Sequence, residues 1–279
     1  MLIGMIAALS ALTASGLCLC WGGFQSLNWL WQLPLSFVGA FVLLLGLAFF
    51  FLWFMCHIVR KDVPQEKDSA FYRQMAYLYI DAVITFTQVR VRTKGLEKTP
   101  KDGRFLLVCN HLNDADPGIL LSYFKKSQLA FVSKQENRDM FIVGSIMHKT
   151  MCQLINRDND REALKSILKC IQMIKDDQVS VAVFPEGGIK KNNLLNPFRP
   201  GVFKIAQKAQ VPIVVCTIWG TQEVFHNIPK LKPTDVELHL VGVIPAEDLV
   251  GRTTVDISEQ VHRMMAEDLG PDRVYHEQK

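Results

Sequence analysis

The sequence predicts an α/β fold, a mixed, mainly parallel sheet flanked by helices, behind an N-terminal two-helix transmembrane hairpin. Three observations predict it. The first charged side chain is Arg60, so the first 59 residues carry no Asp, Glu, Lys or Arg. The 31 Lys+Arg and 27 Asp+Glu all fall in the remaining 220 residues, an ordinary density for a water-facing domain. After that point short apolar runs alternate with amphipathic stretches over about 190 residues, the pattern of strands joined by helices. A hydrophobic content of 49 % excludes a disordered chain. Seven cysteines with no Cys-x-x-Cys pair exclude a disulfide-rich secreted scaffold and give no zinc or thioredoxin-like signal.

The elements follow in order. Leu35 to Val59 is 25 residues without a charge, and a span needs about 20. Leu2 to Trp21 is a second span, weakened by Ser10, Thr13, Ser15 and its glycines. No basic residue precedes it, which argues against a cleaved signal peptide. Between the two, Phe24 to Gln32 includes Trp29 and Trp31, side chains suited to a membrane–water interface. Arg60-Lys61 closes the second span and marks the cytoplasmic end. Residues 70–88 have helical periodicity with Phe71, Met75, Leu78 and Val83, for a helix lying on the bilayer surface or packed on the domain. The chain thus divides into a hairpin anchor (1–60), a linker with an amphipathic helix (61–90) and an α/β domain (91–279).

Within that domain, strands are expected at Gln88–Thr93, Arg104–Cys109, Leu129–Ser133, Gln153–Asn156, Val179–Phe184, Pro212–Trp219 and Val236–Ile244. Helices are expected from Ile119, across Arg161–Lys175, at Gly201–Gln210, and at Asp256–Leu269 with Gly270 as its stop.

Open α/β sheets place their chemistry at the carboxyl ends of strands, and three such ends carry polar residues. The first is Val108-Cys109-Asn110-His111, with Asp116-Pro117 following. On one continuous helix a five-residue spacing would put His111 and Asp116 on different faces. A strand–turn–helix joint, with Asp116 as N-cap and Pro117 at the first helical position, lets the carboxylate return to the imidazole. A carboxylate on one ring nitrogen fixes the tautomer and leaves the other as a base. The second is Phe184-Pro185-Glu186-Gly187-Gly188-Ile189-Lys190-Lys191, a carboxylate and two glycines with lysines behind. The third is Ile155-Asn156-Arg157-Asp158, where Arg157 suits a phosphate. Taken singly, each also reads as an ordinary turn, cap or surface ion pair.

Together these residues resemble the 1-acylglycerol-3-phosphate acyltransferases of the glycerolipid acyltransferase superfamily. Asn110, His111 and Asp116 match the Asn-His-x4-Asp motif. Phe131 to Lys134, continuing to Arg157, is similar to the second block. Phe184 to Gly187 matches Phe-Pro-Glu-Gly, Phe198-Arg199-Pro200-Gly201 a following Phe-Lys/Arg-x-Gly element, and Val211 to Val214 the fourth block. The sequence departs from the pattern at Gly188 and Ile189, where the family has Thr/Ser-Arg, and at Val215-Cys216.

The resemblance implies transfer of a fatty acyl group from a thioester to the hydroxyl of a lysophospholipid at the membrane. His111 is then the base and Asp116 its orienter. Asn110, Lys134, Arg157, Glu186 and Gly187 contact substrate, with Arg157 and Lys134 on the phosphate. Backbone amides near Gly187 or in the 110–114 turn meet the oxyanion. The expected co-substrate is acyl-coenzyme A or an acyl carrier protein thioester. No metal or other cofactor and no nucleic-acid partner are expected. Three further readings stand beside this one: an acyltransferase or transacylase for another lysolipid, a membrane-anchored thioesterase using His111 on water or on Cys109, and a non-catalytic lipid-binding protein.

Overall fold

The structure, a computed structural model, describes residues 1–21, 27–156 and 159–275. An apolar segment without water must satisfy its own backbone, and the charge-free region does so as helices. Helix α1 (Leu2–Cys20) and helix α2 (Trp29–His57) pack side by side. Both are long and apolar enough to cross a membrane. Their outer surfaces are apolar: Leu12 is 71 % exposed and Phe49 61 %. The second helix begins six residues before the expected Leu35, running through Pro34. Of the interfacial stretch, Phe24, Gln25 and Ser26 lie outside the described residues, and Trp31 is exposed.

Residues 70–88 hold helix α3 (Ala70–Phe86), one face of which packs on the domain. Tyr72, Arg73, Met75, Ala76 and Tyr77 are buried, while Phe71, Val83 and Phe86 remain exposed. Tyr79 Oη donates to the Ala48 carbonyl at 2.5 Å and Tyr72 Oη to that of Met55 at 2.9 Å, joining α3 to α2. Arg73, 2 % exposed, donates to Asp68 and to the carbonyls of Leu129 and Thr150, joining α3 to the domain. A buried guanidinium persists only when its donors are this fully used.

The domain continues with β1 (Val89–Lys94), β2 (Leu106–Cys109), α4 (Asp116–Tyr123), β3 (Leu129–Lys134) and α5 (Phe141–Lys149). Then come β4 (Gln153–Ile155), α6 (Asp160–Lys175), β5 (Ser180–Val183) and α7 (Lys204–Ala209). Strand β6 (Ile213–Trp219), short α8 (Val224–Asn227), β7 (Thr234–Ile244) and α9 (Thr254–Leu269) complete it. The strands order as β1-β7-β6-β2-β5-β3-β4. Every neighbouring pair is parallel except β6 with β7. The five strands β2 to β6 therefore share one carboxyl edge, and β1 and β7 run the other way.

Side chains alternate across the sheet. Leu106, Val108, Val181 and Val215 join a core with Ile171, Ile174, Val261 and Met265 of α6 and α9. Leu107, Cys109, Ala182 and Cys216 join the opposite core with Ile119 and Leu120 of α4. A third cluster sets Leu52 and Cys56 of α2 against Tyr72 and Met75 of α3.

Two expectations are corrected. Helix α5 was absent from the sequence reading; its Ser145 hydroxyl donates to the Cys56 carbonyl at 3.2 Å, and its partner is the end of α2. The expected helix 201–210 is a 3-10 turn, Pro200–Phe203, running into the six-residue α7.

Candidate active site

Strand β2 is wholly buried and ends at Cys109, which delivers Asn110 and His111 to the carboxyl edge. Asn110 is 1 % exposed. Its Nδ2 donates to the Ile218 carbonyl at 2.9 Å, and its Oδ1 accepts from the Ile218 amide at 2.8 Å. The side chain thus extends the β2–β6 pairing past the end of the strand. Both of its polar functions are thus used inside the fold.

His111 Nδ1 lies 2.8 Å from Asp116 Oδ2. The same oxygen accepts the amides of Leu112 at 2.7 Å and Asn113 at 2.9 Å. Asp116 is fully buried, and Ala115 takes the cap position of α4. The expected N-cap is therefore the first helical residue, and its carboxylate closes the preceding turn. A carboxylate only accepts, so Nδ1 carries the imidazole proton and Nε2 keeps a lone pair. The ring stacks on Phe184, centroids 4.0 Å apart and 16° from parallel. Position and tautomer are both fixed, and the side chain is 14 % exposed.

Strand β5 delivers the second group. Gly187, at φ 75°, closes a turn by donating its amide to the Phe184 carbonyl at 3.1 Å. Glu186, 3 % exposed, accepts the His111 amide on Oε1 at 2.8 Å. Its Oε2 accepts the Asn196 amide at 3.0 Å and Asn196 Nδ2 at 3.2 Å. Burial pushes this carboxyl above its usual range, and these bonds pull it back. Glu186 thus ties three segments together, with both carboxylate oxygens bonded inside the fold.

The expected oxyanion donors are largely occupied. The amides of His111, Leu112, Asn113 and Ala115 bond to Glu186, Asp116, Asp116 and the Asn113 side chain. That of Gly187 bonds within its turn. The covalent thioesterase reading also loses its nucleophile. Cys109 is fully buried in the α4-side core, and burial pushes its thiol well above the ordinary value, against the thiolate that a nucleophile needs.

Lys134 stands exposed at the end of β3. That strand is two places from β2 in the sheet, roughly 10 Å at the usual spacing. Arg157 lies outside the described residues, two positions beyond β4. Lys190 and Lys191 are exposed. Sequence reasoning gave no role to Asn196 and Arg199. The Arg199 amide donates to the Pro185 carbonyl at 2.8 Å. The only local signal was the Phe198-Arg199-Pro200-Gly201 string. No group of three or more metal-ligating side chains occurs among the described residues.

The family model described as "Acyltransferase" matches residues 90–219, the stretch that holds every one of these groups. Over that stretch the chain is similar to the acyltransferase family. Among its relatives, the chain is 29 % identical over 181 residues to a "Probable 1-acyl-sn-glycerol-3-phosphate acyltransferase" of Mycoplasma pneumoniae, covering 63 % of this chain and 67 % of the relative. It is 28 % identical over 226 residues to a protein of the same description from Mycoplasma genitalium, covering 75 % and 81 %. The crystal structure of a 1-acyl-sn-glycerophosphate (LPA) acyltransferase, PlsC, from Thermotoga maritima superposes with a TM-score of 0.57 at 22 % identity, covering 81 % of this chain and 94 % of that chain. That likeness establishes the fold.

Proposed function

We infer that this protein moves a fatty acyl group from a thioester to the free hydroxyl of 1-acylglycerol-3-phosphate, giving phosphatidic acid. The names of the relatives, 1-acyl-sn-glycerol-3-phosphate acyltransferases, support the reaction. The observation that carries it to residues is the His111–Asp116 pair, held at 2.8 Å with Nε2 left to accept a proton. A hydroxyl is a poor nucleophile at neutral pH and needs a base in hydrogen-bond reach. His111 Nε2 takes the acceptor hydroxyl's proton as the oxygen attacks the thioester carbonyl carbon. The tetrahedral intermediate collapses with cleavage of the carbon–sulfur bond. The departing sulfur takes the proton back from His111, leaving an ester and a free thiol. Asp116 holds the tautomer and steadies the imidazolium.

Acyl-coenzyme A or an acyl carrier protein thioester supplies the acyl group. Lys134 and Arg157 serve the acceptor phosphate from β3 and from the segment after β4. The two apolar helices support membrane association. Arg60-Lys61 beside the end of α2 supports a cell-membrane location with the domain on the cytoplasmic side, where the thioester is made.

The test is acyl transfer to 1-oleoylglycerol-3-phosphate in membranes carrying either the wild type or His111→Ala. The expected result is phosphatidic acid from the wild type, with a rate about 10²- to 10⁴-fold lower in the variant. Unchanged turnover in His111→Ala would sink the assignment.

A further inference from the structure

The turn that follows β5 carries a cation that neither the fold nor the acyl-transfer step uses. Gly187 leaves room for it. A β-carbon there would stand 2.8 Å from Arg199 Nε and 3.0 Å from Arg199 Cδ, so the arginine stem lies across the bare α-carbon. The stem is anchored at both sides. The Arg199 amide bonds to the Pro185 carbonyl at 2.8 Å. Phe198 packs edge-on against the His262 ring, centroids 4.8 Å apart, and Pro200 opens the next turn with its fixed φ. The guanidinium nitrogens have no hydrogen-bond or carboxylate partner among the described residues. The nearest carboxylate in sequence, Glu186, has both oxygens committed to His111 and Asn196.

We propose that Arg199 also binds the acceptor's phosphate, beside Lys134 and Arg157, so that preference for a phosphorylated lysolipid depends on the 196–201 loop. This rests on the acyl-transfer reading of His111. Three features carry it. A planar fork with free donors is the side chain that grips a phosphate in two places. Its position is fixed relative to the base, because Glu186, one residue from Gly187, receives the His111 amide at 2.8 Å. In 1-acylglycerol-3-phosphate the reacting hydroxyl and the phosphate sit on adjacent carbons, so one molecule can reach both. The turn itself offers no cation at Gly188 or Ile189; Lys190 and Lys191 are exposed, as Arg199 is, and what sets Arg199 apart is that its stem packs on the Gly187 α-carbon.

The test compares full-length wild type, Arg199→Ala, Arg199→Lys and Lys190→Ala in mixed micelles. Each is given 1-oleoylglycerol-3-phosphate or 1-oleoylglycerol, with palmitoyl-coenzyme A and palmitoyl-acyl carrier protein offered in turn. Arg199→Ala should raise KM for the phosphorylated acceptor about 10- to 100-fold, with kcat within about threefold. Its discrimination between the two acceptors should fall by the same factor. Arg199→Lys should recover part of the loss, and Lys190→Ala should match the wild type. Arg199→Ala with unchanged discrimination, or with equal losses on both acceptors, overturns the proposal and reduces Arg199 to a loop support. A wild type inert toward 1-oleoylglycerol-3-phosphate overturns the acceptor assignment itself.

Discussion

Asp116 does more at its position than orient an imidazole. One buried oxygen accepts His111 and two backbone amides, and its companion Oδ1 has no partner among the described residues. Asp116→Asn keeps the shape but cannot accept all three donors with one charge. Its expected cost is about 1.5–3 kcal/mol of stability, with earlier hydrogen exchange at Leu112 and Asn113 than elsewhere in the domain. Activity should fall with it, because the tautomer is no longer held. This pair was legible in the sequence because both members lie in one strand–turn–helix joint. Asn110 was not, since its partner, Ile218, is 108 residues away on a neighbouring strand. Glu186 was visible as a carboxylate, but its three donors come from two other segments, which no spacing reports.

Among the elements, the turn after β5 is where glycine is required. Gly187 sits at φ 75°, and the space a side chain would take holds Arg199. Gly187→Ala should cost roughly 1–2 kcal/mol in thermal unfolding through backbone strain alone. It should also raise KM for the acceptor by pushing the guanidinium off its seat, a kinetic effect that strain by itself does not produce. Strand positions were legible to within about two residues, as periodicity and buried apolar runs allow. Helix α5 was not, because nine residues around Gly144 and Ser145 are too few to show a period and take their stability from α2. The antiparallel pairing of β6 with β7 was also hidden. Only the connection between them, α8 and its flanking 3-10 turns, brings β7 back in the opposite direction.

For the whole molecule, pH acts through two histidines that folding buries. Burial lowers His262 below the usual 6.5. Burial also lowers His148, helped by Lys149, Arg138 and Lys61. Below pH 6.5 the unfolded chain takes up protons that the folded one refuses, so these groups make stability fall as the pH drops through that window. A melting series from pH 7.5 to 5.5 should show Tm decreasing, and His262→Gln should flatten the slope. A flat wild-type series would remove this account. His262 touches Phe198, so the same acidification should loosen the loop that carries Arg199.

The seam between α2 and the domain has a consequence for how deep the enzyme sits. Bonds from α3 reach the Ala48 and Met55 carbonyls, and Ser145 of α5 adds the Cys56 carbonyl. The stretch of α2 before Ala48 is roughly 28 Å long, close to the ~30 Å of a hydrocarbon core. Below that point one side of the helix holds the domain while Phe49, Phe50 and Phe54 stay bare on the other. The same turns therefore carry a protein-facing side and a bare apolar side at once, and several bonds moor the domain to the helix. Replacing both Tyr72 and Tyr79 by Phe removes two of the mooring bonds, about 0.5–1.5 kcal/mol each. The protein should stay in the membrane but become more readily cleaved between residues 60 and 69 by added protease.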